Sequence, residues 1–436
     1  MIPTLRLLFF LLLGSAIVAG AALAPVLLWL AVGYLIVVAT LVAADYVISP
    51  KPDELEVERI NDTKLSIGAE NTITLLISSR SQRPLQVQLR DEYPHQFKSD
   101  AIILDSRVLP FEVAEARYHV RPNQRGDYQF GDINIRYRSV LQTFIRQARY
   151  PAQAAVKVYP NVLDVRRYDL LARKGLLFEM GLRAARVYGG GTEFERLREY
   201  STDDEFRRIN WRATARQGKP IAAEYETERS QHVVSVIDTG RLMRPPIGEL
   251  AKLDYVINAA LLLSYVAGLK GDHTGMLTFA DDVRTFLPTR RGNHQFQRML
   301  EALYNVQFEP VEADYARALS YLAVKHTRRS LVFLFTDIVT LDAARPLIAH
   351  MSRLAQRHLA LCVVISDPNI TSLATQPTHD SESVYQRAVA EMLLDERQVV
   401  LDTLNRSGVL TIDAPADKLS ISLINKYLEL KGRGAI

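Results

Sequence analysis

Two groups of residues in this chain have types and spacings that could do chemistry. In the first, Glu193, Glu195, Glu199, Asp203, Asp204 and Glu205 are interleaved with Arg196, Arg198, Arg207, Arg208, Arg212 and Arg216. A carboxylate pair drawn from such a stretch could supply the acid and base of a hydrolase. The arginines argue for a different use. Guanidinium groups nearby favour the ionised carboxylate, and a planar fork holds it through two hydrogen bonds, where lysine offers a point charge. Tyr200, Phe206, Ile209 and Trp211 stand among the charges, so we expect an ordered, arginine–carboxylate-laced segment with Trp211 buried. The second group is Asp238 and Asp337, which end the apolar runs VVSVID and LVFLFTD. Hard divalent cations take oxygen ligands, so two such carboxylates could hold magnesium if hydroxyls stood beside them.

Other chemistries lack their residues. The nine histidines form no HExxH pair, and no G-x-S-x-G elbow is present. The single cysteine, Cys362, excludes an internal disulfide and lies in the apolar run 359–365, where a buried inert thiol is expected. Gly189-Gly190-Gly191 has no lysine and hydroxyl residue after it and no strand before it, so it reads as a hinge rather than a phosphate cradle. A net charge of +4 with both signs interspersed leaves no electrostatic footprint for nucleic acid. Arg125-Gly126-Asp127 is read as a hairpin turn.

The elements that must position these residues are legible from periodicity. Residues 7–44 carry no charge. One helix of that length would be about 57 Å long, nearly twice a hydrocarbon core of about 30 Å. Gly20 and Pro25 break the run, which predicts a transmembrane helical hairpin over 5–23 and 26–48. A cleaved leader ending near 19–24 would need a polar break that is missing. Both flanks then lie on one side, and Arg6, Lys51 and Arg59 place that side in the cytoplasm. The expected location is the inner, cytoplasmic membrane, with the soluble domains on the cytoplasmic side.

Short alternating runs at 55–60, 72–78, 85–89, 117–120, 127–130, 133–137 and 155–159 predict a small β-sandwich. A helix is expected around 170–178. From 232 onward the pattern alternates. Strands are expected at 232–237, 274–279, 283–286, 331–335, 359–365 and 409–412. Helices are expected at 250–270, 295–304, 314–325, 343–356, 383–407 and 417–428. Strands apolar on both faces between helices indicate a doubly wound, mainly parallel sheet. The divisions are 1–49, 50–160, 161–230 and 231–436.

The order E-F-x-x-L-R-x-Y, then D-x-x-R-x-I-x-W-x-x-x-A-R, resembles the signature of the domain of unknown function 58 family. It is carried by Glu193, Phe194, Leu197, Arg198, Tyr200, Asp204, Arg207, Ile209, Trp211, Ala215 and Arg216. Asp203 stands where the family has glycine. Residues 121–137 resemble the strand pair that precedes the family's core. The two acid-tipped strands resemble a von Willebrand factor A domain, whose metal turn is D-x-S-x-S with a threonine on a second loop. Here Gly240 and Leu242 replace the serines and Ala313 replaces the threonine, so no cofactor is expected. Hairpin, β-domain, signature and α/β domain together read as a membrane-anchored interaction protein without catalytic residues, and the resemblance adds a partner. It implies action with a MoxR-type AAA+ ATPase in bacterial chaperone-like assembly or maturation of a client protein. The alternatives are a magnesium-dependent von Willebrand A-type binder through Asp238 and Asp337, and a hydrolase through Glu193 and Asp204.

Overall fold

The computed structural model describes residues 1–20, 26–173, 193–201, 206, 209–226, 230–338, 340–378 and 380–433. They form a mixed α/β protein whose chain divides into two compact units, Met1–Tyr159 and Pro160–Ile436.

The first unit opens with two apolar helices, α1 (Leu5–Gly20) and α2 (Val26–Ile48). They pack on each other. The Tyr34 hydroxyl donates to the Phe10 carbonyl at 3.0 Å, and a Cβ on Gly14 would already lie 3.2 Å from the Tyr34 ring. Gly20 faces Leu27 while Gly14 faces Tyr34, so the pair runs antiparallel. Phe9, Leu12, Trp29 and Ile36 point outward and are exposed.

The rest of the unit is β-structure in sheets of five, three and four strands. Period-two burial is clear in Asn71–Ser79 and Leu85–Asp91, where every second residue is buried. Arg59 forms a buried ion pair with Asp91, which also accepts from the Tyr118 hydroxyl at 2.6 Å. Arg59 is therefore a core residue and not a free flanking cation. Arg125 closes a corner rather than a hairpin. Val113–Pro122 pairs with Asn71–Ser79, whereas Gly126–Phe130 pairs with Ala154–Tyr159 in another sheet. Gly126 has a φ of 142°, which only glycine adopts without strain.

The last turn of α2 is fastened to this β-structure. Asp45 is fully buried and accepts from the hydroxyls of Ser139 and Thr143, both at 2.5 Å, and from the Leu141 amide at 2.8 Å. Arg146 donates to the carbonyls of Tyr46 and Pro50. Thr4, just before α1, donates its hydroxyl to the Gln142 carbonyl at 2.6 Å. One loop, 139–143, thus holds the near ends of both apolar helices.

The second unit begins with α3 (Val162–Arg173). The helical expectation for 174–178 and the hinge at 189–191 lie outside the described residues. After α4 (Trp211–Gln217) come α5 (Lys252–Leu269), α6 (Asn293–Tyr304), α7 (Tyr315–Lys325), α8 (Leu341–Ala355), α9 (Pro368–Thr375), α10 (Ser381–Arg406) and α11 (Leu419–Gly432). Between them runs a six-stranded sheet in the order Val283–Arg290, His273–Phe279, His232–Asp238, Leu331–Thr336, Leu359–Ser366, Leu410–Pro415. All neighbours are parallel except the antiparallel edge strand Val283–Arg290. One face packs Val234, Val236, Val332, Leu334, Cys362 and Val364 against α7, α8 and α10. Burying each such side chain contributes about 1.5–3 kcal/mol. Helix α5, which carries α11 and α6 beside it, rests against His232–Asp238 and His273–Phe279. It is long and apolar enough to cross a membrane, yet most of it is buried as a core helix.

The first strand lies inside the sheet, and later strands are added on both sides of it. The order therefore switches between His232–Asp238 and Leu331–Thr336, and the carboxyl ends at such a switch are where open α/β sheets bind ligands. At the opposite ends His273, His232, His326 and His358 form a row, with His232 and His273 stacked at 4.7 Å. Burial pushes His232 down to about 4 and lowers His326 and His358, so these three are neutral at neutral pH.

Candidate functional site

The signature stretch folds as a strand pair with a helical insert. Glu193–Glu199 pairs antiparallel with Ile221–Glu226, from Glu193 opposite Glu226 to Glu199 opposite Ile221, with a bulge between Phe194 and Arg196. Ile209 adds a bridge to Ala222. Asn210 caps α4 by accepting from the Ala213 amide at 3.1 Å, and Gly218 ends it at a φ of 68°. Asp204 and Arg207 lie outside the described residues.

Among the remaining signature residues, Glu193 and Phe194 stand on the first strand. Arg198 is half-buried and donates to the Glu199 carbonyl at 3.2 Å. The Tyr200 amide donates to the Pro220 carbonyl at 3.0 Å, and Arg216 is exposed in the last turn of α4. The expected burial of Trp211 is overturned: it is 61% exposed. It occupies the first turn of α4, whose described residues are without a buried member, and among the described residues its ring partner is the equally open Phe206, edge-on at 5.6 Å. Glu199 pairs with Lys219, not with an arginine, at 3.1 Å on the surface, where such a pair contributes little.

The two strand-end acids sit where the strand order switches, and both are already satisfied. Asp238 is fully buried and accepts from the Thr336 hydroxyl at 2.7 Å and the Gly240 amide at 2.7 Å, with the Tyr315 hydroxyl at 3.4 Å. Burial, with Asp337 nearby, raises its pKa against the lowering effect of those hydrogen bonds. Asp337 meets two cations. Lys252 Nζ lies 2.6 Å from Oδ2 and Arg397 Nη1 lies 3.2 Å from Oδ1, while Arg397 also reaches Asp413 at 2.7 Å.

The residues present do not fit a divalent ion. Lys252 and Arg397 neutralise the carboxylate that the ion would need. A Cβ on Gly240 would stand 2.9 Å from the Val311 carbonyl and 3.3 Å from the Ala313 amide. The 311–313 loop is pinned there by the Arg241 amide, which donates to the Val311 carbonyl at 2.8 Å. A serine at position 240, as a metal turn would require, has no room. Among the described residues no three His, Cys, Asp or Glu side chains cluster as metal ligands. Arg241 turns away to pair with Glu312 at 2.5 Å. Asp337 is held by an arginine of α10.

Lys252, Arg397, Thr336 and Tyr315 were not foreseen as members of this cluster. Lys252 alone left a trace in the sequence. A lysine opening an apolar helix opposes the helix dipole, so it calls for an acidic partner. Burial pushes the Cys362 thiol up to about 12, in keeping with an inert core residue.

The family model described as "Protein of unknown function DUF58" matches residues 196–392. The matched span runs from the first strand of the signature to Met392 in α10. The chain is also similar to uncharacterized proteins of Mycobacterium bovis and Mycobacterium tuberculosis. Each is 24% identical over 266 residues, which is 57% of this chain and 83% of the relative. Among solved structures, the conserved hypothetical protein BatB from Bacteroides thetaiotaomicron aligns with a TM-score of 0.31 and 12% identity, covering 46% of this chain and 99% of that one. The CARDB domain of a Pyrococcus furiosus protein aligns with a TM-score of 0.18 and 14% identity, covering 24% of this chain and 86% of that domain.

Proposed function

We propose that this protein is a membrane-anchored interaction platform. On this reading it acts with a MoxR-type AAA+ ATPase in the assembly or maturation of other proteins, and it carries out no catalytic turnover itself. The observation that carries the reading is the open Phe206–Trp211 pair on the signature stretch. Two large aromatic rings left to water, one in the first turn of a short, well-capped helix and one just before it, are what a protein-binding anchor looks like before its partner arrives.

Two further features support it. The acids that would serve chemistry at the strand ends are bound to the protein's own cations and hydroxyls. The antiparallel pair α1 and α2, outwardly apolar and held at its near ends by loop 139–143, suits a double membrane span. From Val26 to the buried Asp45, α2 offers about 28 Å of apolar helix against a core of about 30 Å. The cytoplasmic side is favoured by Arg6 and Lys51, with Arg59 withdrawn into the core. The von Willebrand A likeness of the second unit rests on its strand order and its two acid-tipped strands.

The test is association of the detergent-solubilised full chain with the AAA+ ATPase of its own cell. Trp211→Ala and Phe206→Ala should each abolish association while leaving thermal unfolding unchanged. Retained association in the double variant would overturn the reading. The hydrolase alternative predicts that Glu193→Gln or Asp204→Asn destroys an activity with no loss of stability.

A further inference from the structure

Helix α10 carries a side that the described residues of the unit leave exposed. Its inner side, with Ala390, Val400, Leu401 and Leu404, is buried. On another side Tyr385, Met392 and Val399 recur every seven residues and remain 71%, 55% and 48% exposed. Ala388 and Asp395, each three residues after a member of that series, hold the d-type positions beside this apolar stripe, one small and apolar and one charged. From Ala388 to Val399 the seam faces Thr340 and Leu341 at the start of α8 across a groove of about 770 Å³.

The flanks of the groove are acidic. Asp342 and Glu391 stand on either side and are each partly offset by a neighbouring arginine, Arg345 and Arg387, at 2.8 Å. Asp395 and Glu396 also line the groove and make no ion pair with the described residues. The next cation along the helix, Arg397, is turned inward to Asp337 and Asp413.

We infer that this seam is a docking surface for a basic amphipathic helix of a partner protein. The heptad spacing selects a helix. The carboxylates at the d position and on the flanks select lysine or arginine beside its apolar stripe, and the flexible Met392 side chain adapts to what the stripe presents. A second copy of this chain is disfavoured, because Glu391, Asp395 and Glu396 would face their own likenesses. The inference goes beyond the platform reading and does not rest on it, since peptide binding is scored with no ATPase present.

The test uses the full chain in detergent and two synthetic helical peptides of about 21 residues with leucine at a and d. One carries lysine and the other glutamate at the e and g positions. The lysine peptide should bind saturably, weaken as salt is raised, and lose about tenfold or more in affinity to the variant Asp395→Lys/Glu396→Lys, which should gain the glutamate peptide instead. Met392→Asp should abolish both. Because these side chains are solvent-facing, unchanged thermal unfolding certifies each variant. Equal binding of the two peptides, or a lysine-peptide affinity that charge reversal leaves within about twofold, would overturn the inference. A wild-type dimer dissociated by Met392→Asp would also overturn it, by making the occupant a second copy.

Discussion

The strand ends of the α/β unit and the signature stretch exchange the roles their residues suggest. At the strand ends, Asp238 and Asp337 look reactive in the sequence, yet they are buried and saturated by Thr336, Gly240, Lys252 and Arg397. In the signature, Trp211 looks like a packing residue, yet it and Phe206 stand in water. Burial explains the difference. A carboxylate taken out of water must be paired or hydrogen-bonded within the fold, and that leaves no capacity for a ligand. An aromatic ring on a short surface helix has no such obligation and keeps its apolar face for a partner.

The comparison breaks first at Lys252. Lys252→Ala leaves Asp337 with Arg397 alone and should cost about 3–5 kcal/mol in urea unfolding of the full chain. A midpoint close to wild type would show that Asp337 is not held by that ammonium. Asp238→Asn should act in the opposite direction. The folded pKa of Asp238 is raised by burial, so the native state keeps its proton to a higher pH than the unfolded chain does. Wild-type stability therefore falls as pH rises from about 4 through that raised value, while the variant's does not, so the variant gains on wild type as pH rises.

Three histidines at the far ends of the same strands, His232, His326 and His358, titrate with the other sign. Their folded pKa values are lowered, so their contribution is intact above 6.5 and is lost as pH falls, for His232 toward about 4. Unfolding midpoints across that range should decline in wild type and decline less in His232→Gln. Trp211→Ala should be the smallest change in stability, within about 0.5 kcal/mol, because nothing buried is removed. A loss of several kcal/mol would restore Trp211 to the core. Titration calorimetry with Mg²⁺ should give no saturable heat. Heat that saturates and disappears in Asp238→Ala would re-establish the metal site.

Much of this protein is a matter of local period. The uncharged run with its Gly20 and Pro25 breakers marked α2 at 26–48, as found. Alternation marked strands such as Leu55–Ile60, and the helix period marked α5, α7 and α10, because each element's buried side repeats within a few residues. Short or irregular strands such as Lys64–Ser66 and Phe97–Ser99 were not legible, having too few residues to show a period.

What only the tertiary structure decided is which distant groups meet. Lys252 comes from 85 residues before Asp337, and loop 139–143 reaches back more than 90 residues to Asp45. The room denied to a side chain at Gly240 is set by a loop about 70 residues further on. Periodicity reports which side of an element is buried. It says nothing of what lies opposite, because that follows from strand order and packing between segments remote in sequence.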